Sequence, residues 1–171
     1  MVPTIQAMAK EGRQYRSILY GGLMIDKDSV RVVEFNARFG DPETQVILPR
    51  LKTDLVDIIL AVVKGKLNQI KIETTDEACV GVVLASGGYP ESYKTGFPVN
   101  GLHDVDKDVM VFHAGTKLGA TPWEVLTNGG RVLTVVAMGK TLAEARAKAY
   151  DNASRITFEG CHYRKDIAFF K

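Results

Sequence analysis

Val32-Val33-Glu34-Phe35-Asn36-Ala37-Arg38-Phe39-Gly40-Asp41-Pro42-Glu43-Thr44 runs from a strand-like stretch into a turn and the start of a helix. In an extended chain alternate side chains share a face, so Glu34, Asn36 and Arg38 project together while Val33, Phe35 and Ala37 point the other way. Neighbours on one face sit about 7 Å apart, a spacing at which a carboxylate and an amide oxygen can converge on one divalent ion. Magnesium takes hard oxygen donors, gives up its water reluctantly and fills its shell with substrate phosphates. Glu34 would supply charge, and Asn36 an oxygen without a second negative charge to repel a nucleotide. Arg38 could hold a phosphoryl or acyl-phosphate oxygen through paired donors. The chemistry indicated is phosphoryl transfer under a metal clamp. By spacing alone the pattern is weak, because a strand with Glu, Asn and Arg on one side is more often a solvated face.

Outward from this stretch the chain reads as a series of short elements. Thr4 to Glu11 is expected to be a helix, capped by Thr4 and closed by Gly12. Tyr15 to Ile25 and Ser29 to Phe35 are strand-like and joined by Asp26-Lys27-Asp28, which predicts a hairpin. Asp41 is placed as a helix N-cap with Pro42 at the first helical position, and a cap worth about 1 kcal/mol is by itself a sufficient role for Asp41. Pro49 interrupts that helix. Thr53 to Lys64 predicts another, with Leu55, Ile58, Ile59 and Val62 on one stripe and Lys64-Gly65 at its end. The polar run from Asn68 to Asp76 suggests a boundary, dividing the chain into residues 1–70 and 71–171. Beyond it, strands are expected at Ala78–Ala85, Val109–Ala114 and Arg131–Met138, with turns at Gly87-Gly88-Tyr89-Pro90 and Asn128-Gly129-Gly130. Thr141 to Ser154 has the strongest helix signature: Thr141 as cap, Glu144 three residues on, and Leu142, Ala145, Ala149 and Ala153 along one side. The fold class is α+β with mostly antiparallel pairing.

The 171 residues carry a net charge of +2, with 46% hydrophobic and 25% charged residues. This is the balance of a soluble globular protein and gives no electrostatic case for nucleic acid. The two cysteines, Cys79 and Cys161, lie far apart in apolar or aromatic company. They suit buried free thiols in a reducing compartment better than a disulfide framework or a zinc site. The N-terminus lacks a signal-peptide pattern, and the apolar runs are too short to span a bilayer, so the cytoplasm is expected and no membrane partner. His103, His113 and His162 are scattered and make poor metal-site candidates. Trp123, after Thr121-Pro122, is expected to pack.

The central stretch, extended through Gln45, resembles the metal-binding strand of ATP-grasp enzymes, and in its Phe39-Gly40-Asp41-Pro42-Glu43 portion the phosphoribosylamine–glycine ligase family. Tyr20-Gly21-Gly22-Leu23-Met24 is similar to the strand preceding it in that family. Val46 to Leu51, Ala85 to Pro90, Val111 to Thr116, Gly129 to Leu133 and Phe158 to Ile167 are similar to later family segments in the same order. The resemblance implies the second half of an ATP-grasp domain (an antiparallel sheet with helices) followed by a small mixed α/β C-terminal domain. It also implies a reaction: ATP phosphorylates the carboxylate of glycine, and the amine of 5-phosphoribosylamine attacks the acyl phosphate to give glycinamide ribonucleotide, ADP and phosphate, in de novo purine biosynthesis. On this resemblance Glu34 and Asn36 are the Mg²⁺ or Mn²⁺ ligands, Arg38 is the catalytic arginine at the transferred phosphoryl group, and Asp41 is placed to hold an amine substrate.

In such enzymes the nucleotide lies between two subdomains, and the Gly-rich phosphate loop and adenine-binding segments come earlier than anything seen here. The chain is therefore expected to be a fragment whose partner is the N-terminal remainder of the same enzyme, inactive alone. Gly88 could approach a substrate through its backbone, and Arg164 and Lys165 could receive its 5-phosphate. A plain turn and solvent-facing basic residues are the competing readings. Two alternatives stay open: another ATP-grasp carboxylate–amine ligase, or a non-catalytic interaction module that kept the fold.

Overall fold

The computed structural model describes residues 1–27 and 29–169. They divide into two compact units, one of Met1–Thr44 with Leu51–Thr74, the other of Gln45–Arg50 with the chain from Thr75 on. Gln45–Arg50 thus belongs with the second unit and not with the preceding residues.

The first unit opens on α1 (Val2–Lys10), with Met1 as N-cap and Lys10 in the last turn. The helix begins before Thr4, whose amide instead bonds the Met1 carbonyl. Gly12 takes φ +73°, the left-handed conformation that ends a helix at little cost only for glycine. The hairpin follows as β1 (Tyr20–Asp26) and β2 (Ser29–Asn36), antiparallel from Tyr20↔Asn36 to Asp26↔Ser29 with a register shift at Gly22/Leu23. The central residue of the expected Asp26-Lys27-Asp28 turn has φ +48°, and Asp28 lies outside the described residues. Strand β1 is shorter than the apolar pattern predicts: at Tyr15 the hydroxyl bonds the Ile18 carbonyl in a local turn, and pairing starts only at Tyr20.

Helix α2 (Glu43–Ile47) runs into a 3₁₀ turn, Leu48–Arg50, where Pro49 cannot continue an α-helix. It begins one residue later than expected, because Asp41 and Pro42 form a turn ahead of it. In α3 (Leu55–Val63) the cap is Asp54, whose side chain accepts from the Val56 amide at 2.7 Å. Of its apolar residues only Ala61 is buried, while Val56, Ile59, Leu60 and Val63 are exposed.

The second unit is built on a three-stranded sheet of order β3-β7-β4, formed by β3 (Ala78–Ala85), β4 (Met110–His113) and β7 (Arg131–Gly139), all antiparallel. Along β3, Val80, Val82 and Leu84 are buried, the alternation of a strand with one face on the core. The central strand β7 is buried continuously from Val132 to Ala137, as a strand flanked on both edges should be. Helix α4 (Leu142–Arg155) lies against it with Ala145, Ala149 and Ala153 fully buried. Small side chains let the helix approach closely. Leu142, expected on that stripe, is 37% exposed. Thr141 accepts from the Glu144 amide at 3.2 Å, and Glu144 reaches back to the Lys140 amide at 3.0 Å, satisfying two donors at the N-terminus. A second pair, β5 (Thr116–Leu118) with β6 (Val125–Thr127), was not expected, since three-residue strands are too short to show a period. Trp123 is 83% exposed and does not pack. Cys79 and Cys161 are free and only partly buried, and burial pushes both thiols up. No helix among the described residues is long and apolar enough to cross a membrane.

Candidate functional site

The open end of the hairpin, opposite its turn, carries the candidate site of the first unit. Residues directly opposite in an antiparallel pair share a face, so Tyr20 stands beside Asn36 and Gly22 beside Glu34. Asn36 Nδ2 donates to Glu34 Oε1 at 3.0 Å, so the two side chains meet. Gly22 keeps that face open: a Cβ there would come within 3.2 Å of Glu34 Cγ. Glu34 is exposed, and the pair leaves the second carboxylate oxygen and the amide oxygen available to a hard cation. Among the described residues no group of three or more His, Cys, Asp or Glu could hold a metal ion, so a cation here would draw on this pair and on its substrate.

Arg38 stands differently from the expectation. Strand β2 ends at Asn36, because Tyr20 is the first residue of β1 and no ladder partner remains beyond it. The chain bends at Ala37-Arg38, and Arg38 Nη1 donates to the neighbouring Phe39 carbonyl at 2.7 Å. Arg38 is therefore carried by a loop and not by strand alternation, and its side chain is exposed. Asp41 is exposed in the turn before α2. The Gly40 carbonyl receives both the Thr44 amide at 2.9 Å and the Thr44 hydroxyl at 2.6 Å.

Two residues that the sequence reading did not single out complete this corner. Tyr20 donates its hydroxyl to Glu43 Oε1 at 2.9 Å, and that bond, with the Glu43 and Glu34 charges and partial burial, raises the Tyr20 phenol above its ordinary value. The second oxygen, Glu43 Oε2, is buried with no hydrogen-bond partner. Glu43 lies inside the opening stretch and Tyr20 well before it, and nothing local couples residues 23 positions apart.

The remaining candidates lie in the second unit. Gly88 has φ +97°, and a Cβ would come 2.2 Å from the Ser92 carbonyl oxygen, so the turn itself requires glycine. The turn is tied down by Ser86, whose amide bonds Gly130 and whose hydroxyl bonds Gly129, both at 2.8 Å. Next to Gly88, Gly87 lines a cleft of about 460 Å³ with Tyr93, Lys94, Glu159 and Gly160. Arg164 makes a two-pronged pair with Asp166, at 3.0 and 2.6 Å, which raises the guanidinium and lowers the carboxylate. A phosphate at Arg164 would have to share it with Asp166. Lys165 is exposed, and its carbonyl accepts from Arg146 at 2.7 Å.

Residues 79–170 match the family model for the phosphoribosylglycinamide synthetase C domain, and residues 1–44 match that for the phosphoribosylglycinamide synthetase ATP-grasp (A) domain. The chain belongs to the phosphoribosylglycinamide synthetase family. It is 51% identical over 166 residues to a phosphoribosylamine–glycine ligase of Caldanaerobacter subterraneus subsp. tengcongensis, covering 97% of this chain and 39% of that protein. It is 50% identical over 169 residues to the phosphoribosylamine–glycine ligase of Escherichia coli O157:H7, covering 98% and 39%. The crystal structure of phosphoribosylamine–glycine ligase from Thermotoga maritima superposes with a TM-score of 0.77 at 36% identity, over 94% of this chain and 39% of that one. Kluyveromyces lactis urea carboxylase shares the fold alone, with a TM-score of 0.57 at 18% identity. The chain thus spans about two fifths of the length of the ligases it matches.

Proposed function

We propose that this chain is the C-terminal part of a phosphoribosylamine–glycine ligase, an ATP-dependent C–N ligase of purine biosynthesis, with its domain boundary near residues 70 and 71. The reading rests on the family membership together with one geometric fact: Glu34 and Asn36 meet on an open face at the end of the hairpin, 3.0 Å apart. Glu34 and Asn36 would hold Mg²⁺ or Mn²⁺, which when bound neutralises phosphate charge on ATP. Glycine's carboxylate oxygen attacks the γ-phosphorus, ADP departs, and glycyl phosphate forms. The amine nitrogen of 5-phosphoribosylamine then attacks the acyl carbon, phosphate leaves, and the nitrogen loses a proton. Arg38 holds the transferred phosphoryl oxygens through its exposed donors. Asp41 accepts from a substrate amine. Gly88, Arg164 and Lys165 contact the ribose phosphate, with Arg164 exchanging its Asp166 partner for the phosphate. The N-terminal remainder of the enzyme supplies the other wall of the nucleotide cleft, and the compartment is the cytoplasm.

In the full-length ligase, Glu34→Gln and Asn36→Ala should each abolish turnover with the melting temperature unchanged. Turnover within a few-fold of the parent would remove the assignment. The isolated chain should bind ATP weakly by calorimetry, and micromolar affinity would overturn that expectation.

A further inference from the structure

The corner at the end of the hairpin contains a device that the ligase mechanism leaves unused. The loop that carries Arg38 and Asp41 leaves β2 after Asn36 and re-enters regular structure at Glu43. Its first end is held by the Tyr20↔Asn36 pair. Its far end returns to the same strand, through the hydrogen bond from the Tyr20 hydroxyl to Glu43 Oε1 at 2.9 Å. Tyr20 therefore closes the loop from both sides.

Gly40, buried inside the loop, is seated directly against the Glu43 carboxylate. A Cβ on Gly40 would come 2.1 Å from Glu43 Oε2 and 2.8 Å from Glu43 Cδ. The carboxylate is the mobile end of a side chain, but it is tethered to Tyr20 and cannot step aside without giving up that bond. The Thr44 amide and hydroxyl both hold the Gly40 carbonyl, so the backbone cannot step aside either. Glu43 Oε2 is left buried without a partner, an arrangement that weakens the fold and that a residue chosen for packing alone would avoid.

We infer that Glu43 is a positioning residue: held by Tyr20 and seated on Gly40, it fixes the course of the loop that carries Arg38 and Asp41. Glu43 acts through the loop and touches neither the cation nor the phosphate. The inference rests on the ligase reading, and the experiment separates the two.

In the full-length ligase, Glu43→Ala and Tyr20→Phe should each lower kcat about tenfold or more, as expected when catalytic groups shift by a fraction of an ångström. The KM for ATP and the Mn²⁺ affinity, measured by electron paramagnetic resonance, should stay within about twofold, because the cation's own ligands do not move. Glu43→Gln keeps an acceptor for the Tyr20 hydroxyl and should restore most of the rate. Tyr20→Phe with Glu43→Ala together should be no worse than Glu43→Ala alone, the mark of one shared interaction. If Glu43→Ala does not fold, Tyr20→Phe, which removes one oxygen atom, carries the test. The inference is overturned if Tyr20→Phe keeps kcat within twofold, if Glu43→Gln is as slow as Glu43→Ala, or if Mn²⁺ affinity falls in step with kcat. Glu34→Gln serves as the reference. If it stays active, the ligase reading fails; if it is dead while Tyr20→Phe is normal, only the positioning role fails.

Discussion

The two units of this chain handle apolar surface in opposite ways. In the second unit β3, β7 and α4 close on one another, and Val82, Leu84, Val132, Leu133, Val135 and Val136 have no exposed surface. In the first unit the hairpin leaves Leu23, Met24, Ile25, Val30, Val32, Val33 and Phe35 exposed, and α3 leaves Val56, Ile59, Leu60 and Val63 exposed. A two-stranded ribbon is marginal alone. The difference teaches that the proposed cation ligands sit on the unit with the exposed apolar side chains, while the unit with its own core carries none of them.

The comparison is broken most directly by cutting into the core. Leu133→Ala should destabilise the chain by roughly 2–5 kcal/mol in a urea titration, the range for a fully buried leucine. A loss below about 1 kcal/mol would mean that the second unit is not the stable half. Removing the α4 cap by Thr141→Ala should cost about 1 kcal/mol, since Thr141 accepts from the Glu144 amide. Val33→Ala on the exposed hairpin should change stability by no more than about 0.5 kcal/mol. Native-state hydrogen exchange sharpens the contrast further: amides of β7 should open only with global unfolding, and those of β1 and β2 much earlier.

A pH titration gives the smallest effects and assigns one to each unit. Asp106 is held below the ordinary carboxylate range by hydrogen bonds from Arg155 and Asn152. Its depressed folded value means that its contribution is present above the unfolded pKa and is lost as pH falls through the folded one, in a window below about pH 4. Asp106→Asn should flatten that acid limb of the urea midpoint. Tyr20 is raised instead, chiefly by its bond to Glu43. Its contribution is complete below the unfolded pKa and is lost as pH rises above about 10, so Tyr20→Phe should flatten the alkaline limb.

Much of this was legible in the residues. Strand β3 and helix α4 follow from the alternation of Val80, Val82 and Leu84, and from Ala145, Ala149 and Ala153 behind a Thr141 cap. Each of those signals is local: it repeats every two residues, or every three to four, and needs no partner to be seen. The meeting of Glu34 with Asn36 was also legible, because two residues on one strand share a face whatever the strand pairs with. The same rule misled at Arg38, where the ladder has already run out. It misled again for the strand expected from Tyr15 and for Trp123, since local pattern does not say whether a partner exists.

By itself, then, the sequence determined the period of the long elements β3 and α4, the Thr141 cap, the glycines that end α1 and α3, and the meeting of Glu34 with Asn36 on β2. Tertiary structure alone decided where β2 stops, which short segments become β5 and β6, which apolar faces stay uncovered, and that Tyr20 reaches Glu43 across 23 positions. The physical reason is range. Periodicity and capping are set by backbone geometry within a few residues, whereas a hydrogen bond between distant side chains exists only once strand register and an intervening turn have brought its two ends together.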